Sequence, residues 1–211
     1  MDEDGKSHSP QYGSAAAPEP KGLKRPLSSS FDRALVMAST LHRNQERKAS
    51  GVPYVAHLLA VAALVLEEGG SENVAIAALL HDAAEDQGGE ETLAKIAIGF
   101  GPEVARWVRQ ASDTFAVPKP PWEARKMQHL AAIPRADREA QLIMLADKVH
   151  NARSILADHA RMGSQVWERF SAAHDRTVWY YESLLTAFDR SISPVLYDML
   201  ADCVRRIREL D

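Results

Sequence analysis

Apolar residues recur three and four positions apart along most of the chain, and glycine, proline and serine cluster between these periodic stretches. Phe31, Ala34, Leu35, Ala38 and Leu41 mark one face of a first helix, with Ser30 or Asp32 in position to cap it. Its polar end runs through residues 42–48 until Ser50-Gly51-Val52-Pro53 breaks it. A second helix is expected over residues 54–68, with Leu58, Leu59, Ala62, Val65 and Leu66 inside and Gly69-Gly70 as the stop. A central helix is expected over residues 71–86, because its approach, Val74 to Leu80, is apolar throughout and free of Gly and Pro. Shorter helices follow over residues 90–98 and from Pro102, where proline suits a first turn. Pro118, Pro120 and Pro121 mark a rigid loop before a helix over residues 122–132, which Pro134 closes. Residues 137–156, 166–189 and 194–210 complete the set, the middle one rich in aromatics. Alternating strand patterns are absent and nothing repeats at a fixed period. The expected fold is all-α, an irregular helical bundle rather than a plain four-helix one.

The first 29 residues differ in kind. They hold Pro10, Pro18, Pro20 and Pro26 with few large apolar side chains, so they cannot bury enough surface to offset the entropy of ordering. The expected organisation is a disordered tail over residues 1–29, one domain over 30–190 and a C-terminal helix over 191–211 packed on it. Composition adds limits. Hydrophobic content of 45% and charged content of 26% are ordinary for a globular chain, and a net charge of −4 gives no general attraction to nucleic acid or anionic membrane. Cys203 is the single cysteine, which leaves neither a disulfide framework nor a Cys-rich zinc site. No run approaches the ~20 apolar residues of a membrane span, and Met1-Asp2-Glu3-Asp4 lacks the features of a secretory signal. A soluble, cytoplasmic protein is expected.

Candidate chemistry concentrates in Leu79-Leu80-His81-Asp82-Ala83-Ala84-Glu85-Asp86. On one continuous helix His81 and Glu85, and Asp82 and Asp86, would be i, i+4 neighbours. Burying so many polar groups beside an apolar face costs several kcal/mol unless compensated, and a divalent cation would compensate. The alternative is an amphipathic helix whose polar end meets solvent. Two further features bear on that choice. His57 lies among apolar neighbours in the second helix, and Asp147 interrupts the apolar face of Leu145-Ala146-Asp147-Lys148-Val149-His150-Asn151. His57, His81, Asp82 and Asp147 form a mixed N/O donor set without thiolate, which Mn²⁺, Fe²⁺ or Mg²⁺ suits as well as Zn²⁺, while the histidines argue against pure Mg²⁺ or Ca²⁺. Glu85 and Asp86 could hold or deprotonate a water, and Arg47-Lys48 could clamp a phosphate.

These residues, in this order, resemble the H…HD…D signature of the HD-domain metal-dependent phosphohydrolases. Arg47-Lys48, Ser50-Gly51, Pro53-Tyr54, the Glu85-Asp86 pair and Leu145-Ala146-Asp147-Lys148-x-His150-Asn151-x-Arg153 narrow the resemblance to the hydrolase domains of RelA/SpoT-type proteins, among them small stand-alone alarmone hydrolases. The resemblance covers about residues 31–190. It implies an all-helical domain holding one Mn²⁺ and removing the 3′-pyrophosphate from guanosine tetra- or pentaphosphate. By motif it implies His57, His81, Asp82 and Asp147 as metal ligands, and Glu85 and Asp86 as the groups that position and activate water. Arg47, Lys48, Tyr54, Lys148, Asn151 and Arg153 are implied as substrate contacts, with Arg47 able to stack on a purine. Arg176, or else His174, is the candidate from the later helix. The chain departs from the pattern at Ala49, an additional residue before Ser50-Gly51, at Leu58, where Pro is common, and at Ala83, Ala84 and Gln87. These changes bear on substrate preference, since every ligand and acid is kept. The partner implied is a phosphorylated nucleotide, not nucleic acid or membrane, and a homodimer is left open. The competing functions are the same chemistry on an adenine alarmone, the 2′-phosphate of NADPH or a nucleoside monophosphate, and a non-catalytic nucleotide-binding module.

Overall fold

The computed structural model describes residues 26–169 and 172–210. Ten α-helices are formed by these residues: α1 (Ser29–Leu41), α2 (Val55–Glu67), α3 (Glu72–Leu80), α4 (Ala83–Asp86), α5 (Gly89–Phe100), α6 (Pro102–Ala111), α7 (Trp122–Ala132), α8 (Arg138–Met162), α9 (His174–Ala187) and α10 (Pro194–Arg208). Short 3₁₀ segments cover Ile133–Arg135 and Gly163–Arg169. Among the described residues the one bridge outside helices joins Glu46 and Pro53. The fold is all-α.

Helix α3 is the axis of the core. Every residue from Val74 to Leu80 is buried, the signature of a helix surrounded on all sides. Helices α1, α2, α6 and α8 surround it, and Ala75, Ala77 and Ala78 provide short side chains where they approach. The turn from α2 into α3 is equally close. A Cβ on Gly70 would lie 2.6 Å from Val65 Cγ1 and 2.8 Å from the Val65 carbonyl oxygen, so only glycine fits there. At the start of α1 the Ser28 hydroxyl accepts from the Ser30 N–H at 3.1 Å, while the Ser28 N–H and O–H both donate to Glu72 Oε1 at 2.7 Å. The cap is therefore Ser28, not the expected Ser30 or Asp32, and it also ties α1 to the first turn of α3.

Between α1 and α2 the chain folds into a tight hairpin. The Arg47 N–H donates to the Val52 carbonyl and the Tyr54 N–H to the Gln45 carbonyl, both at 2.9 Å, and Gly51 takes φ +68° at the turn. This fold-back carries Arg47 and Lys48 over the end of α2. Helix α10 packs on α8 and α9 through Leu196, Leu200, Cys203, Val204 and Ile207.

Three expectations need correction. The helix expected over residues 71–86 is interrupted at His81-Asp82, with α3 ending at Leu80 and α4 starting at Ala83. Both residues keep right-handed helical dihedrals, His81 at φ −59°, ψ −34° and Asp82 at φ −94°, ψ −7°, and Asp82 leads into the short turn of α4. Helix α8 runs to Met162 rather than to about 156, where Gly163 at φ +62° ends it. The aromatic stretch expected as one helix over 166–189 is a 3₁₀ segment followed by α9 from His174. The tail expected over residues 1–29 lies outside the described residues as far as residue 25, and Pro26, Leu27 and Ser28 form exposed coil.

Ile76, 1% exposed on α3, and Ile98, 88% exposed on α5, separate packing from composition. Ile76→Ala is expected to cost about 2–5 kcal/mol through lost contacts and a residual cavity. Ile98→Ala should stay within about 0.5 kcal/mol. Urea midpoints of the two variants, at unchanged m-value, check both.

Candidate active site

Three helices meet at the break after α3. His57 projects from the first turn of α2, His81 and Asp82 from the α3–α4 junction, and Asp147 from the middle of α8. His57 Nε2 is 3.1 Å from Asp147 Oδ1 and 3.5 Å from Asp82 Oδ2. His81 Nε2 is 3.1 Å from Asp82 Oδ2 and 3.8 Å from Asp147 Oδ1. Candidate ligand atoms of His57, His81 and Asp147 all lie within 4.8 Å of one another, and Asp82 approaches from the side facing the two rings. The four residues expected to gather do gather.

Hydrogen bonding at the far side of each ring decides what these nitrogens can do. His81 Nδ1 lies 2.8 Å from the Ala78 carbonyl oxygen, an acceptor only. Nδ1 therefore carries a proton; burial works to lower the imidazole, but the Asp82 and Asp147 carboxylates beside Nε2 outweigh it and hold the ring well above its ordinary value. His57 Nδ1 lies 2.8 Å from His150 Nδ1, and burial followed by the charges of His57 and Arg47 pushes His150 down to about 4. One of the two facing Nδ1 atoms donates to the other, and the contact fixes the orientation of the His57 ring. Both Nε2 atoms are buried and make no hydrogen bond of sound geometry. Two imidazoles and two carboxylates buried together require positive charge, from a proton on a ring or from a cation among the four groups. The donor set fits a divalent metal ion taking the place of that proton, with each ring oriented by a partner on its outer nitrogen.

The carboxylates are supported in turn. Burial works to raise the Asp147 carboxyl, but the Lys148 ammonium, 2.7 Å from Oδ2, overrides it and holds the group well below the usual carboxylate range. Tyr54 donates its O–H to Asp82 Oδ2 at 2.6 Å. Burial and then the Asp82 charge push the Tyr54 phenol far up, which keeps it a donor.

A cavity of about 450 Å³ opens beside the cluster. Of the expected water-handling groups, Glu85 accepts from the Asp113 N–H at 2.8 Å and from Lys119 Nζ at 2.9 Å. Asp86 accepts from Gln45 Nε2 at 2.8 Å, with Lys119 at 3.4 Å. Of the expected substrate contacts, Arg47, Lys48, Tyr54, Lys148 and Asn151 line the cavity. Arg47 Nη2 donates to Asn151 Oδ1 at 2.7 Å, and its guanidinium lies 5.8 Å from the centre of the Tyr54 ring. Arg153 turns away toward Met199 Sδ, 3.2 Å distant on α10. Arg176 pairs with Glu123 at 2.7 Å and covers the Trp122 ring. His174 Nε2 meets the Ile207 carbonyl at 2.9 Å. None of these three is among the cavity-lining residues.

Lys119, Arg125, Lys126, Asp113, Tyr180 and Tyr181 also line the cavity and were missed. Asp113 is buried between Arg125 at 3.1 Å, Lys126 at 2.6 Å and His129 at 3.0 Å. Lys119 stands in Pro118-Lys119-Pro120-Pro121, so a cation on a rigid loop was a readable signal. Nothing local distinguishes the others from surface charges.

Comparison with known proteins gives this arrangement its family. The model of the HD domain matches residues 34–179. The chain belongs to the HD-domain family. Over 121 residues it is 36% identical to guanosine-3′,5′-bis(diphosphate) 3′-pyrophosphohydrolase MESH1 of Mus musculus, a match covering 56% of this chain and 65% of that one. The Xenopus tropicalis protein of the same name is 35% identical over 134 residues, 60% of this chain and 72% of that one. The chain thus spans about two thirds of the length of these relatives, slightly less for the mouse protein. Among solved structures, a metazoan orthologue of SpoT that hydrolyzes ppGpp and plays a role in starvation responses superposes with a TM-score of 0.72, at 26% identity, covering 87% of this chain and 98% of that one. The lmo0812 protein of Listeria monocytogenes EGD-e superposes with a TM-score of 0.64, at 30% identity, over 72% of this chain and 99% of that one. Among the described residues of this HD domain no helix is long and apolar enough to cross a membrane.

Replacing His150 with Phe removes the hydrogen-bond partner behind His57 and leaves a ring in place. Divalent-metal affinity, measured by calorimetry on the apoprotein, is expected to fall about 10- to 100-fold. His150→Gln, whose amide can donate or accept, should recover part of the loss.

Proposed function

We propose that this chain is a Mn²⁺-dependent phosphohydrolase that removes the 3′-pyrophosphate of guanosine 3′,5′-bis(diphosphate) and of its pentaphosphate, leaving GDP or GTP. The observation that carries this reading is the pair of buried Nε2 atoms of His57 and His81, unpartnered by any sound hydrogen bond beside the Asp82 and Asp147 carboxylates, at the wall of a cavity lined by Arg47, Lys48, Lys119, Arg125, Lys126 and Lys148. The relatives named for that activity, and the structural likeness to the ppGpp-hydrolyzing SpoT orthologue, supply the substrate. His57, His81, Asp82 and Asp147 would hold the ion. When bound, it lowers the pKa of coordinated water and polarises the phosphoryl group; the N/O donor set suits Mn²⁺.

The protein's own groups then divide the work. Glu85 and Asp86 are the bases placed to take a proton from the attacking water. Both have their remaining lone pairs occupied by Lys119, Asp113 and Gln45, which fixes their orientation. The water oxygen bonds to the phosphorus attached to the 3′-oxygen, the P–O3′ bond breaks, and the proton returns to the 3′-oxygen. Lys148 and Lys119 offset charge on the phosphate oxygens, and Arg47, held by Asn151, offers its planar face to the base. The expectation of a cytoplasmic protein is supported by the single cysteine, Cys203.

Purified protein with Mn²⁺ is expected to convert guanosine 3′,5′-bis(diphosphate) to GDP and pyrophosphate. Glu85→Gln should lower kcat about 10²- to 10⁴-fold, and Asp82→Ala should be inactive. No turnover by the wild type across Mn²⁺, Fe²⁺ and Zn²⁺, or unchanged turnover in Asp82→Ala, overturns the proposal. Release of phosphate rather than pyrophosphate from a nucleotide panel would favour a different substrate for the same chemistry.

A further inference from the structure

Neither the helix packing nor the candidate metal cluster accounts for Asp158. Its carboxylate is 5% exposed, beside buried Ile155, in the last turns of α8, where the helix dipole disfavours negative charge. Among the described residues its partner is Arg161, which donates to Oδ1 at 2.9 Å. The Arg161 side chain is 66% exposed, so water screens the pair and it compensates burial poorly. Asp158 nevertheless lines the same cavity as Glu85 and Arg47.

Its place on α8 suggests a use. Asp158 lies eleven positions beyond Asp147, which returns it to the same helix face about 16 Å further along. Asn151, Ser154 and Ile155 fill that face between the two acids, with Arg47 and Ala49 of the hairpin also on the cavity wall. Lys119 is held at Glu85 and Lys148 at Asp147, both beside the metal cluster. Phosphates are drawn to that end, and a carboxylate at the other repels them. What it attracts is a group carrying N–H donors.

We propose that Asp158 determines base specificity by accepting hydrogen bonds from the N1–H and N2–H₂ edge of guanine. This rests on reading the cavity as a nucleotide site. Adenine offers a lone pair at N1 beside its single amino group, and that lone pair would face the carboxylate. An Asn at the position reverses the pattern, because its amide donates beside an accepting oxygen and matches the adenine edge.

The test uses the full chain with Mn²⁺ and two bisphosphate probes, guanosine 3′,5′-bisphosphate and adenosine 3′,5′-bisphosphate, titrated by calorimetry. The wild type should prefer the guanosine probe. Asp158→Asn should shift the ratio of affinities toward adenosine about ten- to hundredfold, and Asp158→Ala should flatten it. Mn²⁺ affinity unchanged in both variants serves as the check that the fold and the metal cluster survive. Equal affinities in the wild type, or an unchanged ratio in Asp158→Asn, overturn the proposal, because a carboxylate that merely anchors Arg161 would not alter base preference. Selective binding that switches in Asp158→Asn, without hydrolysis of any nucleotide by the wild type, would uphold this role and overturn the proposed activity. Hydrolysis with no base selectivity would do the reverse. Binding of neither probe overturns both.

Discussion

Two imidazoles and two carboxylates brought together in a buried junction are the constraint around which the molecule is arranged. That junction requires compensating positive charge, and a protein interior sharpens the requirement because little water is present to screen it. It persists because each element has its own fixing device. The Ala78 carbonyl, made available where α3 ends, sets the His81 tautomer. His150, one turn of α8 away from Asp147, orients the His57 ring. Lys148 holds Asp147 ionised, and Tyr54 donates to Asp82. The junction of α3 and α4 at His81-Asp82 stands at the same point. A core helix buried on all sides, α3, then anchors that break against α1, α2, α6 and α8.

Charge in the cavity is zoned rather than uniform. Six cationic side chains on its walls give local attraction for phosphate that a net charge of −4 conceals. Several are themselves restrained by acids: Lys119 by Glu85 and Asp86, Arg125 and Lys126 by Asp113, Lys148 by Asp147. Fixing long cationic side chains in advance reduces the entropy lost when a ligand arrives. Far along α8, Asp158 adds a buried acid to the same wall.

Much of this was legible in the order of residues. Apolar spacing of three and four, with glycine and proline as breaks, determines an all-α chain with a core centred on residues 74–80. The residue types at His57, His81, Asp82 and Asp147, each set in apolar surroundings where a solvated polar group has no place, single out the cluster, and the structure brings those four together. The aligned motif also carried Arg47, Lys48, Tyr54, Lys148 and Asn151 to the cavity. It overreached at Arg153 and Arg176, which lie in the expected neighbourhood but turn to Met199 and to Glu123 instead. On a long flexible side chain, direction depends on which partner packs alongside, and sequence does not say.

What the sequence determined by itself was therefore element type, the buried face of each helix and the chemical character of the cluster, because these follow from local periodicity and residue type. Tertiary structure alone decided the break between Leu80 and Ala83, the outer-nitrogen partners of the two histidines, and the recruitment of Lys119, Arg125, Lys126 and Asp158 to the cavity. The reason is physical. Each of those outcomes depends on a contact between residues distant in sequence or on a helical hydrogen bond forgone for the sake of such contacts, and neither leaves a periodic trace along the chain.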